Sequence, residues 1–450
     1  MAAPFAEGWD KLTPQERFEK RFEVWQDPDI EFVSPEVKAE YRERVQMFKD
    51  AIQLKKPSRP PVAPWVALFP GLDAGLTAKE TYYDFDKLHD AWRRFHDIYR
   101  PDVLAFTINI APVKVYDALD YKLYDWPGHG VGDDSGYQYN EAEYMAAGEY
   151  DTLIADPSNY WQRFYLPRII GAMEPWAMLD PFTDLVEGPM VGPFFIPFGL
   201  DPVKDMLQKM MAAGDAALEW VQAMTKMDQD SMARFGIPGF AGGATKAPYD
   251  ILGDTMRGTR GLMLDKFRQP EKVLEACERL VPLAIDWGIR PCNINKHPMV
   301  FIPLHKGADG FLSDEDFRTF YWPSFKKVLL GLIEEGITPL CFAEGGYNER
   351  LEAIHDPDIP AGKMIWMFDA TNMHEAKKHL GGYQCIGGNV PGALLTTGTP
   401  QEMDDYVRQL IEDVAGDGGF ILGSGIVVDA AKPECFKAMI DAGKKYGAKA

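Results

Sequence analysis

The chain has 450 residues, enough to bury a large core in one big domain or two ordinary ones. Hydrophobic residues make up 46% and charged residues 26%, which excludes a disordered chain, and apolar runs such as 300–304 and 420–422 are far too short to span a bilayer. The net charge of −21 repels phosphate backbones and anionic lipid, so neither nucleic acid nor a membrane surface is expected as a partner. Residues 1–22 carry charge early and have no apolar stretch of signal-peptide type. Cys277, Cys292, Cys341, Cys385 and Cys435 are scattered, with no Cys-x-x-Cys pair. That usage fits free thiols and a cytoplasmic location.

Residues 1–60 read as a helical extension: amphipathic spacing over 36–54, then a break at 55–61 rich in Lys and Pro. An apolar run at 62–69, a helix-like stretch at 78–100 and an apolar run at 103–110 alternate in the manner of βαβ units. Residues 115–185, rich in aromatics and turns, read as an insertion with short helices covering one end of a barrel. Downstream, strands are expected at 299–304, 338–342, 364–368, 385–387 and 419–422. Helices should follow at 313–335, from 347, and at 373–380, 400–414 and 433–446, with Gly336 stopping the first. Ser313 and Thr399, each with acids close behind, are N-cap signals. Consecutive short strand–helix units, with no Gly-x-Gly-x-x-Gly after a predicted strand, favour an α/β chain folded as a (β/α)8 TIM-type barrel over 61–450.

In such a barrel the residue just after each strand faces the active site. Those positions hold His305, Cys341 and Glu344, Asp369, Asn389, and Ser424 with Asp429. His305, Glu344 and Asp369 are the catalytic candidates, although His305 and Asp369 also suit helix caps and Glu344 suits a salt bridge. Cys341 reads better as a core filler. His374 and His379, five apart, do not share a helix face. Arg257 and Arg260, three apart, are candidates for binding a carboxylate, or else form a solvated helix face.

Several stretches, in order and over about 120–450, resemble the uroporphyrinogen decarboxylase superfamily. They include Pro127-Gly128-His129-Gly130, Tyr165-Leu166-Pro167-Arg168, Ala247-Pro248-Tyr249-Asp250, Pro303-Leu304-His305-Lys306-Gly307, Phe342-Ala343-Glu344-Gly345 and Gly388-Asn389-Val390-Pro391. The chain is most similar to the long branch that includes methyltransferase components of corrinoid-dependent demethylase systems. The resemblance implies a (β/α)8 barrel with His129 and Asn389 beside the substrate. The Arg-Gln-Ala-Gly-Arg-Tyr stretch of true uroporphyrinogen decarboxylases has no counterpart in 55–75. The His-x-Cys zinc motif of thiol-methylating members is missing too.

These readings lead to a demethylating methyltransferase acting on a small methoxylated or methylated compound. Glu344 would serve as acid, or His305 and Glu344 would hold a zinc ion. The methyl acceptor would be a corrinoid on a separate protein, since this chain has no Asp-x-His-x-x-Gly motif. A homodimer is also considered. The alternatives are a metal-independent decarboxylase or lyase that anchors a carboxylated substrate on Arg257, Arg260 or Arg168, and a ligand-binding barrel without chemistry.

Overall fold

The computed structural model describes residues 4–104 and 110–449. Two sheets organise it. The small one, in the order β2-β1-β3, joins β1 (Tyr124–Pro127), β2 (Gly130–Val131) and β3 (Gln138–Tyr139). The large one is parallel and runs in chain order through β4 (Met299–Leu304), β5 (Thr338–Ala343), β6 (Ile365–Phe368), β7 (Cys385–Val390) and β8 (Phe420–Ser424). Its register pairs Met299 with Thr338, Leu340 with Ile365 and Ile386 with Phe420. Every residue of β5, β6, β7 and β8 is buried, as expected for strands covered on both faces.

Hydrogen bonds continue beyond both edges. Ala63 N–H donates to the Leu422 carbonyl at 2.7 Å, and Asp102 N–H donates to Val62 at 2.9 Å. Leu104 N–H donates to Pro238 at 2.8 Å, and Thr245 N–H donates to Phe301 of β4 at 2.9 Å. Five regular strands and three short extended segments thus succeed one another around a ring. Of the apolar run expected at 103–110, positions 105–109 lie outside the described residues. The ring is filled by aromatics: Trp65 has its centroid 5.0–5.1 Å from those of Phe240, Phe301 and Phe342.

The N-terminal helices Pro14–Gln26 and Pro35–Ile52 start at Thr13 and Ser34, whose side chains accept the backbone N–H groups of Glu16 and Val37. Phe18, Phe22, Trp25, Tyr41 and Phe48 belong to the main core. These helices and the turn after them close the end of the ring where strands begin. A Cβ on Gly336, just before β5, would strike Phe18 N, one on Gly418 would strike the Lys55 carbonyl, and one on Gly362 would press on the Ile52 carbonyl. The opposite end, where strands finish, is left for the site.

The expected helix over 313–335 is interrupted: a turn at Asp314–Asp316 and a π turn at Phe317–Tyr321 precede Trp322–Glu334. Strands β7 and β8 run further than expected, so Asn389 and Ser424 lie within them. After β1–β3, short helical turns continue to Gly188–Phe195, and the 35-residue helix Asp201–Phe235 follows.

Candidate active site

His305 follows the last residue of β4, and Glu344 follows the last residue of β5. Glu344 N–H donates to the Leu304 carbonyl at 3.2 Å, which holds the two strand ends level. Gly345 then turns the chain at φ 80°, a conformation that side chains with a Cβ resist. The outcome is an ion pair: His305 Nε2 stands 3.3 Å from Glu344 Oε1, at a partly exposed rim.

The other edge of the imidazole meets a residue absent from the sequence-derived candidates. His305 Nδ1 lies 2.6 Å from Asp254 Oδ2. Asp254 sits on a π turn, Leu252–Met256, that continues the helix Pro248–Ile251. Single π turns of this kind recur at functional sites. Lys246 Nζ bonds the same Asp254 oxygen, and Lys306 Nζ lies 3.7 Å from the other. One turn earlier, fully buried Asp250 accepts the backbone N–H groups of His305 (3.2 Å) and Lys306 (2.8 Å) and the Tyr321 hydroxyl (2.7 Å). Asp250 thereby fixes the backbone that carries the imidazole.

Electrostatics separate these groups. Burial alone disfavours charge on His305, but hydrogen bonds with Asp254 and Glu344 outweigh it and push the imidazole up to about 10. It therefore carries its proton at neutral pH. Burial also works against ionisation of Asp254, yet hydrogen bonds from His305 and Lys246 hold it below its ordinary value. Asp250 moves the other way, raised by burial and by the Asp254 charge. Two carboxyls a helical turn apart thus diverge, a pattern typical of catalytic centres.

Asp369, just after β6, accepts the Gly345 N–H at 2.9 Å, and burial raises its carboxyl against that bond. It stands behind the Glu344 turn. Asn389 Nδ2 donates to the carbonyls of Asp369 (2.9 Å) and Thr371 (2.7 Å), and its Oδ1 accepts the Tyr406 hydroxyl at 3.0 Å. Asn389 therefore ties strand ends together. Ser424 accepts the Trp65 N–H at 2.9 Å and serves the same purpose. The small sheet closes over the mouth: the Tyr139 hydroxyl donates to the Asp254 carbonyl, and burial, with the Asp429 and Glu344 carboxylates nearby, raises the Tyr137 phenol.

The remaining candidates are not brought to this centre. Arg257 is a correction: its buried guanidinium bonds Asp265 at 2.5 Å and also the Met145 carbonyl, so it is not available to a substrate carboxylate. Arg168 pairs with Glu149 through both nitrogens, at 2.6 and 2.8 Å. Arg260 is exposed and lines an open hollow of about 460 Å³ with Glu141, Glu143 and Thr259. Exposed His129 stacks on Trp126 with centroids 4.3 Å apart. Cys341 is sealed in the core, where burial raises its thiol.

Zinc does not fit this donor set. His305 and Glu344 supply two converging side chains, fewer than the three protein ligands of a catalytic zinc. Among the described residues, no group of three His, Cys, Asp or Glu side chains is arranged to hold a metal ion.

The uroporphyrinogen decarboxylase (URO-D) family matches residues 187–446, more than half of the chain, and the chain belongs to that family. Its fold is the TIM barrel, in keeping with the parallel ring described above. A methyltransferase from Methanosarcina mazei shares the fold, with a TM-score of 0.56 at 12% identity over 89% of this chain and 98% of that one. Among curated proteins, none matches. No helix among the described residues is long and apolar enough to cross a membrane.

Proposed function

We propose that this chain removes a methyl group from a small methoxylated or otherwise methylated compound, with protonated His305 as the acid for the departing heteroatom. The observation that carries the reading is the Asp254–His305–Glu344 row, in which the imidazole keeps its proton at neutral pH and turns Nε2 towards the rim. A methyl–oxygen bond breaks slowly because an alkoxide or phenoxide leaves poorly. As the bond breaks, its electron pair stays on oxygen, and the Nε2 proton moves onto that oxygen. Asp254 fixes the ring orientation and stabilises the imidazolium beforehand. The leaving atom takes the position beside Nε2 that Glu344 holds in the free protein. A corrinoid on a separate protein supplies the nucleophile that receives the methyl group in line.

The test is to incubate the protein with a broad panel of methyl donors and a reduced corrinoid protein, with the His305→Gln variant alongside. Methyl transfer by the wild type that falls sharply in the variant supports the reading. No methylated corrinoid with any donor overturns it.

A second reading, a metal-independent carboxy-lyase, draws on a specific feature. Lys246 and Lys306 place two cations around Asp254, the carboxylate that holds His305, a candidate anchor for a substrate carboxylate in place of committed Arg257. There the imidazolium would protonate the carbanion left after loss of carbon dioxide. Carbon dioxide release from a carboxylated donor, without methyl transfer, would select it.

A further inference from the structure

We infer that Tyr139, on the small sheet over the mouth, is a positioning residue for His305: its hydroxyl pins the backbone of Asp254 and so keeps that carboxylate against the imidazole. The cover is then part of the support of the acid, beyond shielding it from water.

The case starts from the backbone of the π turn. Its closing bond runs from the Arg257 N–H to the Leu252 carbonyl at 2.7 Å, and Gly258 turns the chain away at φ 68°. The last carbonyls of a helical segment have no partner within it and must find one elsewhere. Three consecutive carbonyls, those of Asp254, Thr255 and Met256, find theirs in the segment 139–165, which begins in β3. The Tyr139 hydroxyl donates to Asp254, the Tyr165 hydroxyl to Thr255 at 2.9 Å, and the Met145 N–H to Met256 at 2.8 Å. Glu141, two residues beyond Tyr139, accepts the Thr259 N–H at 2.5 Å. A Cβ on Gly258 would lie 3.0 Å from the Ala142 carbonyl, so cover and turn leave no room between them.

Among these bonds, that of Tyr139 falls on the residue that touches His305. Asp254 is held at both ends: its side chain by His305 at 2.6 Å and by Lys246, its carbonyl by Tyr139. A π turn is a rare winding, and partners outside the helix offset the preference for the α form. Without the hydroxyl, the carbonyl of buried Asp254 loses its partner, and the turn is free to rewind and carry the carboxylate off Nδ1. The tyrosine is itself fixed. Strand pairing sets Tyr139 opposite Tyr124, with ring centroids 5.5 Å apart, and burial and the Asp254 charge raise its phenol, so it remains a donor.

The charges facing the imidazole say what a looser turn would change. Asp254 and Glu344 bond it, Asp250 lies close behind, and Lys246 and Lys306 surround Asp254. With Asp254 withdrawn, Glu344 at 3.3 Å is the remaining bonded partner of the imidazolium, and both lysines oppose its charge.

The bearing on turnover rests on His305 acting as the acid, but the test needs neither substrate nor methyl acceptor, so it stands apart from the proposed reaction. Histidine-labelled full chain is titrated by NMR from about pH 5 to about pH 11, with His305→Gln to assign the signal. Tyr139→Phe, which removes only the hydroxyl, should lower the His305 midpoint by at least about one unit, the scale of one charge-assisted hydrogen bond. Tyr41→Phe loses a buried bond of 2.8 Å to the Trp25 carbonyl at the far end of the ring, and should lower the melting temperature while leaving that midpoint in place. An unchanged midpoint in Tyr139→Phe overturns the inference. So does an equal fall in Tyr41→Phe, which would trace the shift to general loosening. A wild-type imidazole that titrates near about 6.5 overturns it as well, because no carboxylate would then be held against the ring.

Discussion

Asp254 and Glu344 grip opposite edges of the His305 ring, at 2.6 Å on Nδ1 and 3.3 Å on Nε2, although they come from different βα units. The buried carboxylate fixes the ring orientation and favours its charge, and in the proposed reaction the partly exposed one would yield its place to a ligand. Asp254→Asn should keep the shape and remove the charge. The alkaline limb of the pH–activity profile, set in the wild type by an imidazole near 10, should then move several units towards neutral. A limb that stays in place would show that another group donates the proton.

His305→Gln keeps a polar side chain of similar reach but no proton to give. Turnover should drop by about 10²- to 10⁴-fold, the usual contribution of a general acid, with substrate affinity changed much less. Single-turnover rates and equilibrium binding, measured together, separate the two. A matched loss of affinity alone would make His305 a binding residue.

The same ion-pair row leaves a signature in stability. The folded pKa of His305, about 10, lies above the unfolded value of about 6.5. Its stabilising contribution is therefore complete below about pH 6.5 and is lost as pH rises through about 10. The difference in unfolding free energy between wild type and His305→Gln should shrink steadily from pH 6 to pH 10 in denaturant titrations. A difference independent of pH would mean that the imidazole is not charged in the folded protein.

Arg257→Ala should unfold the protein more easily rather than weaken substrate binding. Removing the guanidinium strands buried Asp265 and frees the Met145 carbonyl, and breaking a buried pair costs about 3–5 kcal/mol. Chemical denaturation reads the loss directly. An unchanged midpoint with weakened binding would restore the carboxylate-anchor role for this residue.

Chelation should do nothing. With two converging ligands and a protonated histidine, dialysis against a strong chelator should leave both melting temperature and turnover unaltered, and the purified protein should hold zinc well below one equivalent. Stoichiometric zinc by elemental analysis would revise the chemistry at His305 and Glu344.

The strand ends were legible where strands are regular. β4, β5 and β6 are short apolar runs closed by polar residues, so His305, Glu344 and Asp369 stand out at their ends. Asp250, Asp254 and Lys246 follow a stretch that pairs through scattered bonds at Pro238, Phe240, Gly242, Gly243 and Thr245, with no periodic run to mark it. The usable signal was the four-residue spacing of Asp250 and Asp254 in an otherwise apolar helix start, which puts both on one face. Arg257 misled because spacing along a helix says nothing of burial, and Asp265 waits eight residues on to take it. The helix Asp201–Phe235 has no counterpart among the sequence expectations because apolar residues occupy both of its faces, which blurs a 3.6-residue stripe.

The helices that stopper the strand starts have a consequence for synthesis. They leave the ribosome well before the backbone they seat against, near Gly336, Gly362 and Gly418, which follows hundreds of residues later. At roughly 10 residues per second, Phe18, Trp25 and Phe48 wait on the order of half a minute without their final cover. Nascent chains of this protein are therefore exposed to chaperone capture and to sticking together through these two helices.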